Sequence, residues 1–176
     1  MSRTSTAKSA TTVLDVKSPT FNPNIGVTKG DRKKLAGKLS NALADTYMLY
    51  LKTQGFHWNV AGPMFYSLHK LTEAQYEDMF AAIDELAERI RALGEPAPAS
   101  FKQFLSLTRI DEETGVPTAE EMICQLVQDN DACAKSLREA VAVAEEADDV
   151  KTADLLTDRI GQHEQNGWML RAMLAQ

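Results

Sequence analysis

Residues 65–94 read FYSLHKLTEAQYEDMFAAIDELAERIRALG, and their apolar side chains recur every three or four positions. These apolar residues are Leu68, Leu71, Tyr76, Met79, Ile83, Leu86 and Ile90. The spacing places them on one face of an α-helix, and Gly94 followed by Pro96 is typical of a helix end. The stretch therefore predicts an amphipathic helix over residues 65–93.

Three other segments show the same periodicity. They cover residues 29–59, 118–146 and 150–174. The second of these begins with a capping box, in which Thr118 is the N-cap and Glu121 stands three positions later. A short apolar patch at residues 101–107 lies in the long link before it. Four long helices with one long crossover predict an all-α, ferritin-like four-helix bundle with a short extra helix in the crossover.

The composition favours a single globular domain, because 176 residues of which 44% are hydrophobic can form a substantial core. No apolar run approaches the roughly 20 residues of a membrane span, and residues 1–29 lack the apolar segment of a signal peptide. Cys124 and Cys133 lie about 13 Å apart if one helix carries both, which is too far for a disulfide bond. We therefore expect a cytoplasmic protein with free thiols.

The charge is unevenly distributed along the chain. Residues 1–29 contain four basic side chains and one acidic one, whereas the rest of the chain contains 15 basic and 24 acidic side chains. We therefore expect a flexible basic arm over residues 1–28 and an acidic bundle domain over residues 29–176. An acidic body suits the passage of cations better than it suits a nucleic-acid groove.

Two histidines and one carboxylate pair form a candidate metal site. His57 lies near the end of the first predicted helix, and His69 lies near the start of the second. Asp84 and Glu88 follow on that second helix, where a spacing of four residues places both carboxylates on one face. Imidazole and carboxylate together are a ligand set that suits iron.

The length of the second helix separates these ligands. His69 and Asp84 are fifteen positions apart, which is about 22 Å along a helix, whereas metal–ligand bonds are about 2 Å long. A site that contains both histidines and both carboxylates must therefore combine two chains. A two-fold contact with antiparallel second helices would bring the histidines of one chain to the carboxylates of the other, and would form two equivalent sites.

Structural roles stay open for the same residues. A histidine at a helix end is commonly a capping or packing residue, an acidic pair is commonly solvated, and Glu88 can pair with Arg89. The Glu-x-x-His motif of intrasubunit di-iron bundles is absent, because Gln54, Tyr66 and Ile160 stand three positions before the histidines. Three large aromatic side chains are expected in the core rather than in a redox relay: Trp58, Tyr66 and Trp168.

Two stretches of the sequence carry distinctive motifs. The first is residues 52–60, KTQGFHWNV, followed by Phe65 and His69. The second is residues 84–94, DELAERIRALG. In both stretches the sequence resembles the Dps family, the small ferritin-like proteins of starved bacteria. The likeness covers roughly residues 29–174, and it implies a hollow dodecamer with tetrahedral symmetry and with ferroxidase centres at its two-fold interfaces.

The resemblance also implies an activity and its ligands. His57 and His69 match the family's two histidines, and the partner chain's carboxylates match Asp84 and Glu88. Ferrous iron is then expected to be oxidised there, preferably by hydrogen peroxide, and stored as ferric mineral in the cavity, which protects DNA from hydroxyl radicals. Glu73 stands where the family often has an aspartate, four residues after the second histidine, so a further iron ligand is expected there.

Iron needs a way into such a cage. The spacing of Asp149, Asp154 and Asp158 resembles that of the aspartates lining the family's three-fold pores. A ring of carboxylates from three chains would concentrate ferrous ions. The alternative is that acidic residues at a helix start stabilise the helix dipole, which accounts well for Asp148 and Asp149 but less well for Asp158.

Some cages of this family bind DNA through basic arms, and here the arm carries Arg3, Lys8 and Lys17. Twelve arms on one cage can act together where a single arm offers too few phosphate contacts, which predicts salt-sensitive, sequence-independent binding. The alternative is an arm that only packs on neighbouring subunits, starting near Phe21.

Three functions follow from these observations. They are a ferroxidase and storage cage, a non-enzymatic DNA-binding protein that compacts the nucleoid, and a hydrolase that reuses the fold. The hydrolase ranks last, because no Gly-x-Ser-x-Gly motif is present and Ser67 near His69 has no evident activating partner.

Overall fold

The computed structural model describes residues 21–175 and contains, within that range, five helices and no strand. The helices are α1 (Lys29–Asn59), α2 (Phe65–Ala92), α3 (Phe101–Leu107), α4 (Ala119–Glu146) and α5 (Val150–Leu174). The predicted four long helices and the short helix in the crossover are therefore confirmed, as is the all-α class.

The sequence signals at two helix ends act as predicted. The carboxylate of Glu121 accepts the backbone N–H of Thr118 at 2.8 Å, and the Thr118 hydroxyl accepts the N–H of Glu121, which is the capping box of α4. After α2, Gly94 has a φ of 96°. A Cβ at Gly94 would lie 2.6 Å from the carbonyl oxygen of Phe21. Two independent reasons therefore favour glycine at position 94: the positive φ of its backbone, and the carbonyl oxygen of Phe21, which leaves no space for a Cβ.

Two ion pairs define the relative direction of α1 and α4. Lys34 near the start of α1 pairs with Glu146 at the end of α4, and Lys52 near the end of α1 pairs with Asp129 in the first half of α4. Helix α4 therefore runs antiparallel to α1, as α2 does after the turn at residues 60–64. Helices α2 and α4 consequently point the same way, so the crossover containing α3 must return the chain along the length of the bundle.

Two apolar clusters fill the bundle between the four long helices. The first includes Leu35, Leu39, Leu43, Leu86, Ile90, Leu137 and Leu156. The second includes Leu49, Phe56, Leu68, Met79, Met122, Leu126 and Leu170. Burying one such side chain stabilises the fold by about 1.5–3 kcal/mol, so these clusters hold the helices in register.

Buried polar contacts fix the start and the middle of the crossover. Directly after α3, the carboxylate of Asp45 in α1 accepts hydrogen bonds from the backbone N–H of Arg109 at 2.6 Å and from the Thr108 hydroxyl at 2.9 Å. Burial raises the pKa of Asp45, and these hydrogen bonds oppose the shift. Near its start, the buried guanidinium of Arg32 donates to the carbonyl oxygen of Leu93 at 3.1 Å.

Arg32 also fastens the segment that precedes α1. Its guanidinium donates to the carbonyl oxygen of Val27 at 2.8 Å and to the side chain of Asn22 at 2.9 Å. Residues 21–28 therefore lie against the end of α2. The predicted boundary between arm and bundle at residue 28 stays a prediction, because residues 1–20 lie outside the described part.

The part of the chain that the structure describes has no helix with the length and the apolar character needed to cross a membrane. Cys124 is exposed and Cys133 is buried, and both are free thiols as predicted.

Candidate metal centre

The turn between α1 and α2 places His57 against His69. Their rings stack with centroids 3.8 Å apart. Nδ1 of His57 lies 2.8 Å from the carbonyl oxygen of His69, and Nδ1 of His69 lies 2.9 Å from the carbonyl oxygen of His57. Because a carbonyl oxygen only accepts hydrogen bonds, both Nδ1 atoms carry the proton. Both Nε2 atoms are therefore unprotonated in the neutral rings and have a lone pair for a metal ion.

Aromatic neighbours hold the two imidazole planes. The ring of Phe65 stacks on His69 at 5.1 Å, and the ring of Tyr76 meets His57 edge-on at 5.2 Å. His57 is buried and His69 is half-buried. The ring orientations are thus set before any metal ion binds.

Glu73 lies one turn after His69 on α2. Its carboxylate accepts a hydrogen bond from Lys70 at 2.6 Å, and this contact holds the pKa of Glu73 below its usual value. The charges of His57 and His69 lower the pKa of Glu73 further. Glu73 is therefore an anion beside the histidine pair at neutral pH.

Asp84 and Glu88 are exposed near the other end of α2, and neither forms an ion pair within residues 21–175. Arg89 does not pair with Glu88. Its guanidinium binds both carboxylate oxygens of Asp149, at 2.7 and 2.8 Å, and the hydroxyl of Thr152 at 2.8 Å. Among the described residues, no three His, Cys, Asp or Glu side chains come close enough to hold an ion. The five predicted ligands, Glu73 included, thus do not meet within one chain.

The three predicted pore residues differ in their surroundings. Asp149 is buried and is the N-cap of α5. This position fits the alternative role, in which an acidic residue stabilises the start of a helix. Asp154 and Asp158 are exposed, and Asp154 pairs with Lys151 at 3.2 Å. Asp158 lines an open groove together with Glu88, so it shares a surface with one of the candidate iron ligands.

The placement of three aromatic residues in the core was wrong. Trp58, Tyr66 and Trp168 are all exposed, by 64%, 72% and 66%. Trp58 follows Phe56 and His57, which face inward, and each helical residue is rotated by about 100° from the last, so Trp58 projects outward.

Two features of the site were not predicted. The reciprocal bonds between His57 and His69 depend on the tight turn after α1, for which Gly62 and Pro63 are the only sequence signal. The contact of Arg89 with Asp149 joins residues 60 positions apart and has no local signal. The predicted DNA-binding residues lie outside the described part of the chain: these are Arg3, Lys8 and Lys17.

Comparison with known proteins defines the class and then the family. Residues 36–176 match the family model of the ferritin-like domain, so the chain is a ferritin-like protein. It is 36% identical over 144 residues to DNA protection during starvation protein 2 of Bacillus anthracis, which covers 82% of this chain and 99% of that one. It is 42% identical over 153 residues to a low temperature-induced protein of Nostoc sp., covering 86% of each.

The solved structures agree with this assignment. The Dps protein of Vibrio cholerae O1, described as a member of a superfamily of ferritin-like diiron-carboxylate proteins, superposes with a TM-score of 0.83 and 35% identity. The match covers 87% of this chain and 96% of that one. The chain belongs to the Dps family.

Proposed function

We propose that this protein is a ferroxidase and iron-storage subunit that oxidises ferrous iron at sites shared by two chains. The histidine pair carries the proposal, because its two Nε2 atoms are prepared for a metal ion but lack a complete ligand set in their own chain. The exposed carboxylates of Asp84 and Glu88 supply what is missing when a second chain is present. Glu73 is the proposed additional ligand beside the histidines.

The surface around the histidines supports a second copy of this chain as the partner. Phe80 and Phe101 are each more than 60% exposed. Their rings contact Tyr50 at 6.0 Å and Tyr47 at 6.1 Å, so they extend one continuous aromatic patch along α1, α2 and α3. A large exposed apolar patch marks an interaction surface, and a two-fold contact with antiparallel α2 helices would cover it.

The ligands suit the oxidation of ferrous iron. The Nδ1–H bonds to carbonyl oxygens make each Nε2 more basic, and the carboxylates stabilise the higher charge of the ferric ion. Two ferrous ions each give one electron to one hydrogen peroxide molecule, whose O–O bond breaks. With two water molecules the products are two ferric oxyhydroxide units and four protons. Peroxide is the proposed oxidant because the family resemblance implies it, and this reaction would consume both reagents that generate hydroxyl radicals.

Storage requires a cavity and an entrance. We infer a homododecamer with a hollow centre, as the family resemblance implies. Asp154 and Asp158 are the proposed carboxylates of the entrance, because both are exposed, whereas Asp149 is already bound by Arg89. The groove that Asp158 shares with Glu88 is the proposed path of ferrous ions from entrance to site.

A second function, sequence-independent DNA binding through residues 1–28, is proposed for the same assembly. The relative from Bacillus anthracis is a DNA protection during starvation protein, and the basic residues of this chain's arm suit phosphate contacts. We expect a cytoplasmic, nucleoid-associated protein. Deleting residues 1–20 should abolish retention of DNA at low salt, and unchanged retention would exclude this function.

The test of the ferroxidase proposal is iron oxidation followed by absorbance, with and without hydrogen peroxide. The Asp84→Ala/Glu88→Ala variant should lose the fast peroxide-driven phase while retaining the oligomer size of the wild type. Glu112→Ala/Glu120→Ala is the matched control, because it removes two exposed carboxylates elsewhere. If both variants oxidise iron as fast as the wild type, the proposal is wrong.

A further inference from the structure

A row of buried polar side chains crosses the bundle one to two helical turns below the histidine pair. We call this row the polar layer, and it consists of Thr53, Gln75, Asn130, His163 and Asn166. None of them is more than 2% exposed, and all four long helices contribute. Four members have a residue of the second apolar cluster one turn away on the same helix. These residues are Leu49 for Thr53, Met79 for Gln75, Leu126 for Asn130 and Leu170 for Asn166. The layer is thus a polar interruption of an apolar core.

The ion pair between α1 and α4 shows where one half of the layer lies along the bundle axis. Lys52 binds Asp129 at 2.7 Å, and both side chains are largely buried. Thr53 and Asn130 directly follow these two residues. They therefore lie at the same height in the bundle, on neighbouring helices.

The ion pair between α2 and α5 sets the level of the other half. Arg159 binds both carboxylate oxygens of Asp78, at 3.1 and 2.6 Å. Gln75 precedes Asp78 by almost one turn, and His163 follows Arg159 by one turn. Arg89 near the end of α2 binds Asp149 at the start of α5, whereas Asp78 earlier in α2 binds Arg159 later in α5, so the two helices are antiparallel. These steps therefore go in the same direction, and Gln75 and His163 share a level. The contact of His163 with Asn130 at 2.8 Å joins the two halves.

The hydrogen bonds of Asn130 define the protonation of His163. Nδ2 of Asn130 donates to the carbonyl oxygen of Leu126 at 2.8 Å, so it is Oδ1 that faces Nδ1 of His163. An amide oxygen accepts, and therefore Nδ1 of His163 carries the proton. Nε2 of His163 is then a buried acceptor, and it has no hydrogen-bond partner within residues 21–175.

Other members of the layer have unpaired groups of complementary kinds. Both polar atoms of Gln75, Nδ2 of Asn166 and the hydroxyl of Thr53 have no partner in the described chain. Thr46 and Thr72 donate to the carbonyl four residues earlier, at 2.8 and 2.7 Å, but Thr53 does not. Buried polar groups are nearly always satisfied by protein or by ordered water. The layer therefore needs a ligand that both donates and accepts.

The chemistry of the layer selects a neutral ligand. Burial, reinforced by the charge of Arg159, lowers the pKa of His163 to about 3, so the ring is uncharged at neutral pH. Di-iron bundles place several carboxylates at such a level, whereas this layer contains amides, a hydroxyl and one imidazole. An iron ion would have one good ligand and a guanidinium nearby. Water, which donates twice and accepts twice, matches the unpaired groups.

We propose that the polar layer is a binding site for ordered water inside the bundle, distinct from the metal centre. Water molecules donate to Nε2 of His163 and to Oε1 of Gln75, and accept from Nε2 of Gln75 and Nδ2 of Asn166. A buried water typically makes about three hydrogen bonds, which these groups supply. The water molecules complete the hydrogen bonding of the layer.

A crystal structure of the wild-type protein, at a resolution that shows ordered water, tests this directly. The expected result is a water peak within hydrogen-bond distance of Nε2 of His163. A side-chain donor from the protein at that position would overturn the proposal. So would an anomalous peak beside His163 in crystals soaked with ferrous or zinc salts.

The direction in which one substitution shifts the melting temperature gives an independent test. Gln75→Met keeps the side-chain volume but removes both polar atoms. If water satisfies the layer, the variant should lose water peaks and melt at a lower temperature than the wild type. If Gln75 is unsatisfied, removing its polar atoms should raise the melting temperature instead, which would overturn the proposal. Gln128→Met, at an exposed position of α4, is the control for the substitution itself.

Discussion

Arg89 binds both carboxylate oxygens of Asp149, which ties the last turn of α2 to the first residue before α5. The two side chains are largely buried, with 15% and 3% of their surfaces exposed. Asp149 also accepts the backbone N–H of Thr152 at 3.0 Å as the N-cap of α5. One carboxylate therefore caps a helix and joins two helices.

Removing the cation of this pair should be more damaging than neutralising the anion. We expect Arg89→Met to lower the free energy of unfolding by about 3–5 kcal/mol, because it leaves a buried carboxylate unpaired. Asp149→Asn should cost less, because asparagine also caps helices. Denaturant unfolding followed by circular dichroism measures both. Equal stability of Arg89→Met and the wild type would contradict the assigned contact.

The same pair predicts a pH dependence. Burial on its own raises the pKa of Asp149, but hydrogen bonds from Arg89 and Thr152 outweigh it and leave the pKa below its usual 3.8. The folded state therefore releases this proton more readily than the unfolded chain, so the pair stabilises the fold fully above pH 3.8 and progressively less as the pH falls below it. The stability difference between the wild type and Asp149→Asn should accordingly shrink below about pH 4 in unfolding measured across pH.

One substitution can separate the structural role of His69 from its proposed metal-binding role. In His69→Asn, the amide N–H can replace Nδ1–H as donor to the carbonyl oxygen of His57, but nothing replaces Nε2. We expect an assembled protein with nearly wild-type thermal stability whose peroxide-driven iron oxidation is slowed by about tenfold or more. Normal oxidation by a stable His69→Asn protein would exclude Nε2 of His69 as an iron ligand.

Sharing of the site between chains can be tested by mixing two defective chains. One chain carries His57→Ala and His69→Ala, and the other carries Asp84→Ala and Glu88→Ala. Each mixed pair then has one site with both defects and one intact site, so random assembly should restore about a quarter of wild-type activity. Each variant assembled alone should be inactive. No recovery after verified co-assembly would place the site within a single chain.

The helices were predictable because their signals are local. The capping box at Thr118 and the glycine at position 94 each act within a few residues of their own position, and the structure has helix ends at both. The same holds for the spacing that separates His69 from Asp84, since helix geometry alone excludes a common ion.

The features that escaped prediction depend on contacts between distant residues. Trp58 and Trp168 were assigned to the core because apolar side chains are usually buried, yet both are exposed on a single chain. His163 and Gln75 look like ordinary polar helix residues in the sequence, and only the packing of four helices buries them. Their positions required the three-dimensional structure.

The division of ligands between the two ends of α2 makes the proposed chemistry depend on assembly. A single chain has two oriented imidazoles but no complete ligand set among its described residues, so we expect it to oxidise iron only after it meets a partner. Activity at high dilution should then fall with the square of the chain concentration, once most chains are dissociated. On this proposal, iron oxidation would be confined to assembled particles, where the inferred cavity would receive the ferric product.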